Sequence, residues 1–238
     1  MKVFVIIPAA GLGTRMAPSL KGKKPVASKQ FTELGGTPIL IHTLRRFAAN
    51  PQVSEICIAL RASEIAGFRA RLQKEPKTEN VRLVEGGENR QQSVANAVRS
   101  IAAADDDIVL VHDAVRPFVT NEIIDEVINA AQKHGAAIAG TPAVDTVKQV
   151  ERTSEGALIK ATISRERVVL AQTPQGFRYA LLKRAFEEAT ADGFVGTDEA
   201  SLLERSGHQV AVVMGSARNI KITAPADMEL AEFYLKTS

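Results

Sequence analysis

The chain has no tryptophan and one cysteine, Cys57, among its 238 residues. A single cysteine excludes an internal disulfide and fits a reducing cytosol, so a cytoplasmic location is expected. No apolar run approaches the roughly 20 residues that span a bilayer, so no membrane contact is expected. The apolar stretch from Val3 to Ala10 is too short for the core of a secretion signal, contains Pro8 and lacks a cleavage site. Aromatic residues make up 5% of the chain, too few for a platform on which nucleic-acid bases would stack. Acidic residues are absent from positions 1–32, where six bases stand: Lys2, Arg15, Lys21, Lys23, Lys24 and Lys29. The other 206 residues hold 24 bases and 27 acids, so the net charge of +3 belongs to the N-terminal segment alone. A compact polyphosphate suits such a localised basic segment better than an extended nucleic acid does.

What is present is ordinary globular material, 45% hydrophobic and 24% charged, enough for one sizeable core. Lys2–Pro8, Glu55–Leu60, Val81–Val84 and Asp107–His112 are short apolar runs that read as strands buried on both faces. Between them lie helical patterns. Thr37 is placed to cap a helix that begins at Pro38 and runs through Ala49. Others start near Ser63 and Asn89, and Asn121–His134 carries Ile123, Ile124, Val127, Ile128 and Ala131 on one face before Gly135 stops it. The alternation predicts an α/β, Rossmann-like, mainly parallel sheet flanked by helices on both faces. It breaks at about 142–167, where Val144–Val150 and Ala157–Ile163 flank a Thr-Ser-Glu-Gly turn and predict an inserted β-hairpin. The pattern resumes with Val168–Ala171, helices near Arg178–Ala191 and Asp198–Ser206, strand Gln209–Met214, and a helix after Pro225. With no linker or repeat, the expectation is a single domain over 1–238 carrying one arm.

Ligands of open parallel sheets bind beyond the carboxyl ends of the strands, and three such ends are unusual. Pro8-Ala9-Ala10-Gly11-Leu12-Gly13-Thr14-Arg15-Met16 is a turn of small residues that feeds the basic segment. It is not a dinucleotide fingerprint, which needs glycine where Met16 stands, nor a P-loop, which needs glycine at Ala17 and a hydroxyl at Lys24. His112-Asp113-Ala114-Val115-Arg116-Pro117 sets a carboxylate and a guanidinium three residues apart, able to hold a cation beside a phosphate. Gly86-Gly87-Glu88-Asn89-Arg90-Gln91-Gln92-Ser93 leads a glycine pair into a helix whose side chains could read a base edge. Each has a purely structural alternative: a tight turn, a local Asp–Arg ion pair, and capping by Asn89. His42, His112, His134 and His208 lack metal-ligand spacing, no G-x-S-x-G elbow exists, and Cys57 reads as a packed core residue. Asp105-Asp106-Asp107 reads as a solvated loop.

Taken together, these segments resemble the 2-C-methyl-D-erythritol 4-phosphate cytidylyltransferases. The likeness continues through Lys29-Gln30-Phe31, Asp145-Thr146-Val147-Lys148, Thr173-Pro174-Gln175, Thr197-Asp198-Glu199-Ala200 and Asn219-Ile220-Lys221-Ile222-Thr223, in order along the chain. The resemblance implies transfer of CMP from CTP to methylerythritol phosphate in isoprenoid synthesis, with release of pyrophosphate and with Mg²⁺ or another divalent cation. It implies that Arg15 and Lys29 grip the triphosphate and that Ala9, Ala10, Gly11, Gly86, Glu88 and Ser93 hold the cytidine. Asp113 would lie by the ribose and the metal, unless the CTP phosphates alone hold that metal. Arg116, Thr146, Arg165 and Lys221, with Asp113, would meet the acceptor, Thr146 and Arg165 reaching the partner's site across a homodimer joined by the arm. The segment from Met16 to Lys29 is longer than the family's usual connection, Ser28 stands where proline is common, and Glu88 where aspartate is more usual. Two other readings compete: a ribitol-5-phosphate cytidylyltransferase, which shares most of these motifs, and a non-catalytic nucleotide-binding module.

Overall fold

The computed structural model describes residues 1–11 and 28–237. Arg15, Lys21, Lys23 and Lys24 therefore lie outside the described residues. Among those described, eleven strands and seven α-helices follow the order of the chain: β1 Val3–Pro8, β2 Glu33–Leu34, β3 Thr37–Pro38, α1 Ile39–Ala48, β4 Glu55–Leu60, α2 Ala62–Leu72, β5 Val81–Glu85, α3 Arg90–Ser100 and β6 Ile108–Val111. Then come α4 Asn121–His134, β7 Ala136–Pro142, β8 Val147–Thr153, β9 Gly156–Ile163, β10 Val169–Arg178, α5 Tyr179–Ala191, α6 Glu199–Arg205, β11 Ala211–Met214 and α7 Pro225–Lys236.

Seven strands form one sheet in the order β11-β7-β10-β6-β1-β4-β5, and only β10 runs against its neighbours. The expected mainly parallel α/β sheet is thus observed. Side chains alternate across a strand, and β1 shows the consequence. Val3, Val5 and Ile7 pack with Leu44 and Phe47 of α1 and with Ile124 and Val127 of α4, while Phe4 and Ile6 pack with Val94 and Val98 of α3 and with Leu182 and Phe186 of α5. A third, smaller core joins α7 to the β2–β3 hairpin and to Val115 and Phe118.

The helix Asn121–His134 and its stop agree with expectation: Gly135 takes φ 87°, a conformation costly for any residue with a Cβ. The expected cap at Thr37 does not form. Gly35 and Gly36, at φ 58° and 76°, make a two-residue turn, so Thr37 pairs with Leu34 as a strand and Pro38 precedes the helix. Asp105 and Asp106 are solvated, but Asp107 is buried and accepts from the backbone N–H of Lys2 and Ala104 at 2.7 and 2.8 Å, tying the start of β1 to that of β6. The arm is present as β8 paired with β9, separate from the main sheet.

Candidate active site

Strands β1, β4, β5 and β6 run parallel, so their carboxyl ends share one edge of the sheet. After β1 the chain builds β4 and β5 on one side and then β6 on the other. The crevice at that reversal is where an open α/β sheet receives ligands. It holds a cleft, and eight residues singled out in the sequence line it: Ala9, Ala10, Gly11, Lys29, Glu88, Ser93, Asp113 and Lys221. Gly86 lies beneath it, where an added Cβ would stand 2.5 Å from the Ala10 Cβ and 3.0 Å from the Ser93 Oγ. Only glycine lets these two segments approach so closely. Ser93 in turn holds the glycine turn, accepting from the Gly87 N–H at 3.0 Å while its hydroxyl donates to the Asn89 carbonyl at 2.8 Å. Asn89 also caps α3 through the N–H of Gln92 at 2.9 Å.

Asp113 is the electrostatic centre. Its Oδ2 lies 2.9 Å from Lys221 Nζ and 3.2 Å from Arg116 Nε, and its Oδ1 lies 3.5 Å from Arg90 Nε. Burial alone would raise its pKa, but Arg90, Lys221 and Arg116 outweigh that and hold the carboxyl well below the usual range. The local Asp113–Arg116 pair is therefore real, and it is one part of a larger cluster. Arg90 grips Glu199 bidentately at 2.7 and 2.9 Å. Burial disfavours its charge, yet Glu199 and Asp113 overcome this and push the guanidinium pKa up. Arg116 donates to the Asn219 carbonyl at 2.7 Å.

Behind the cluster stands His112, fully buried. It cannot donate from both nitrogens without a charge, and burial depresses its pKa to about 4. The Arg116 carbonyl can only accept, so Nε2 carries the proton at 3.0 Å, and the Thr173 hydroxyl donates to Nδ1 at 3.1 Å. Thr173 also accepts from the Asp113 N–H at 3.0 Å. The neutral imidazole thus sets the backbone on both sides of the Asp113–Arg116 pair.

Arg116 opens not to this cleft but to an adjoining cavity, which it lines with Gln172, Thr173 and Asp198, while Arg90, Asp113 and Lys221 border both. Thr146 and Arg165 are exposed on the arm and line neither cavity; Arg165 donates to the Val144 carbonyl at 2.9 Å. Within one chain the structure does not bring them to the other site residues. No role came from the sequence for Arg90 or Glu199, although both stand inside the quoted motifs.

The family model described as IspD, 2-C-methyl-D-erythritol 4-phosphate cytidylyltransferase, matches residues 3–237. The chain belongs to this family. A protein of that description from Acidobacterium capsulatum is 58% identical over 99% of this chain and 98% of its own, and one from Solibacter usitatus is 53% identical over 99% and 96%. Among solved structures, the cytidylyltransferase of Thermus thermophilus aligns with a TM-score of 0.77 at 35% identity, covering 99% of this chain and all of its own. That of Francisella tularensis aligns at 0.81 and 35%, covering 98% and 99%. These matches show a nucleotidyltransferase of isoprenoid synthesis and favour the methylerythritol phosphate reading over ribitol 5-phosphate.

Proposed function

We propose that the chain, acting as one domain over 1–238, transfers CMP from CTP to 2-C-methyl-D-erythritol 4-phosphate and releases pyrophosphate. The observation that carries this is the position of Arg90, Asp113 and Lys221 on the border of two cavities. CTP occupies the cleft between the Ala9–Gly11 turn and the Gly86–Ser93 segment. The acceptor occupies the adjoining cavity, with Lys221 and Arg116 facing its phosphate. An acceptor phosphate oxygen attacks the α-phosphorus in line, and the bond to the bridging oxygen of pyrophosphate breaks. Both reactants are anions, so the protein's contribution is alignment and neutralisation, with no covalent intermediate. Arg15 and Lys29 grip the triphosphate and stabilise the charge that grows in the transition state.

The donor set fits a metal that arrives on the triphosphate. Asp113 and Glu88 are the carboxylates lining the cleft, and no group of three His, Cys, Asp or Glu side chains suited to a metal occurs among the described residues. Mg²⁺ asks of a protein one or two carboxylates beside substrate phosphates, and Asp113 would be the carboxylate to meet it. When bound, the ion neutralises phosphate charge and polarises the phosphoryl group under attack.

The arm supports a homodimer. Both its strands are exposed, with Val150, Leu158, Ile159 and Ile163 at 46, 67, 66 and 40% exposure. A two-stranded hairpin with uncovered apolar side chains needs another surface, and a partner's cleft would then receive Thr146 and Arg165. A cytoplasmic location is supported by Cys57, a free thiol packed in the core. Among the described residues no helix is long and apolar enough to cross a membrane.

The test is pyrophosphate release from CTP and Mg²⁺ with methylerythritol phosphate or with ribitol 5-phosphate. Release with the first acceptor alone is expected. Equal release with ribitol 5-phosphate, or none with either, would overturn the assignment.

A further inference from the structure

Three successive carbonyls on the turn after β1 are held by two side chains. Gln30 Nε2 donates to the Ala9 carbonyl, Arg61 Nε to that of Ala10 at 3.0 Å, and Arg61 Nη2 to that of Gly11 at 3.2 Å. In a trans peptide the C=O and the next N–H point in opposite directions. Fixing the carbonyls of Ala9 and Ala10 therefore fixes the N–H groups of Ala10 and Gly11 on the other side. Neither N–H bonds to another described residue, and both residues line the cleft. Arg61 does more than this. Its Nη2 donates to Ser28 Oγ at 2.7 Å, and the Ser28 hydroxyl donates to Glu64 Oε1 at 2.7 Å, itself 3.8 Å from Arg61. Ser28 is buried and immediately precedes Lys29. One guanidinium at the end of β4 thus joins the segment that ends at Gly11 to the segment that begins at Ser28.

We propose that Arg61, seated by Glu64, is a positioning residue for the nucleotide. It holds the Ala10 and Gly11 backbone in place for the cytidine and keeps Lys29 beside it for the triphosphate. Backbone donors act best when they need no rearrangement as the ligand arrives. The role demands a guanidinium: three acceptors are met from one rigid plane, which the ammonium of lysine cannot match. This rests on the nucleotidyl-transfer reading of the cleft.

The experiment compares full-length wild type with Arg61→Ala, Arg61→Lys and Glu64→Gln. It reads the calorimetric Kd for CTP, KM for each substrate, kcat and melting temperature. Arg61→Ala is expected to weaken CTP binding about tenfold, the equivalent of one charge-assisted hydrogen bond. The acceptor KM should stay within about twofold. Arg61→Lys should recover little, Glu64→Gln should fall between, and millimolar guanidinium should restore part of the CTP affinity of Arg61→Ala. A purely structural role would lower the melting temperature and weaken both substrates alike, with no response to guanidinium. That pattern, or a folded Arg61→Ala with unchanged CTP affinity, would overturn the proposal. Should Arg61→Ala not fold, Arg61→Lys carries the same test, and wild-type affinity in it would refute the argument. Wild type that neither binds CTP nor releases pyrophosphate would instead overturn the nucleotidyl-transfer reading, and this proposal with it.

Discussion

Replacing Glu199 by glutamine removes one charge from an ion pair whose carboxylate is almost wholly buried, where Glu199 is 1% exposed and Arg90 31%. Arg90 would keep Asp113, at 3.5 Å, as its remaining anionic neighbour within salt-bridge reach among the described residues. Removing one partner of a buried pair costs roughly 3–5 kcal/mol. Glutamine preserves the shape and one acceptor oxygen, and the partly exposed guanidinium can still draw on water, so about 2–3 kcal/mol is expected. Unfolding entropy of about 2.1 cal/mol/K per residue amounts to roughly 0.5 kcal/mol/K for the chain, so the melting temperature should fall by about 4–6 °C. Scanning calorimetry measures this directly. The orphaned Arg90 charge is the stated cause, and it can be removed as well: Arg90→Met combined with Glu199→Gln should be more stable than Glu199→Gln alone. A melting temperature for Glu199→Gln within about 1 °C of wild type would refute the reasoning, since the buried pair would then carry no penalty when broken. So would a double variant no better than the single one.

Gly86→Ala drives a methyl group against the Ala10 Cβ, and steady-state assays should show KM for CTP raised about tenfold or more, because neither neighbour is a flexible side-chain end. An unchanged KM would place the base elsewhere. His112 has a folded pKa of about 4 against 6.5 unfolded. Its contribution is complete above pH 6.5 and is lost as pH falls from 6.5 to 4, about 3 kcal/mol in all. Urea unfolding at pH 7.5 and 4.5 should show a smaller difference in His112→Gln than in wild type, and equal differences would contradict a buried neutral imidazole. Arg15→Ala and Lys29→Ala should each lose about 10²–10³ in kcat, far more than Lys21→Ala, Lys23→Ala or Lys24→Ala. If one of those three is the most damaging, Lys29 is not the catalytic lysine. Mixing Arg15→Ala with Arg165→Ala chains should recover activity through hybrid dimers, and none after proven subunit exchange would rule out a site shared by two arms.

Much of the frame was legible because it is written locally. Helix α4 combines an apolar face at helical spacing with a glycine stop, and β1, β4 and β6 are runs that suit a strand covered on both sides. Strand β7, Ala136–Pro142, gave no such signal: its small residues carry little β-preference, and only its place between β10 and β11 makes it a strand. The reversed direction of β10 was equally silent, since a hydrophobic run does not say which way it points. The site divides along the same line. Asp113 and Arg116 are three residues apart and could be paired by inspection. Arg90 and Glu199 stand 109 residues apart, and the fold alone brings them together. Arg61 is harder still, because its acceptors at Ala10 and Gly11 are backbone carbonyls that every residue possesses. A sequence shows which charges a site owns. Which of them are bound to each other, and which are left to face a ligand, is decided by topology, so the local Asp–Arg reading at Asp113 was correct and still missed two of its three cations.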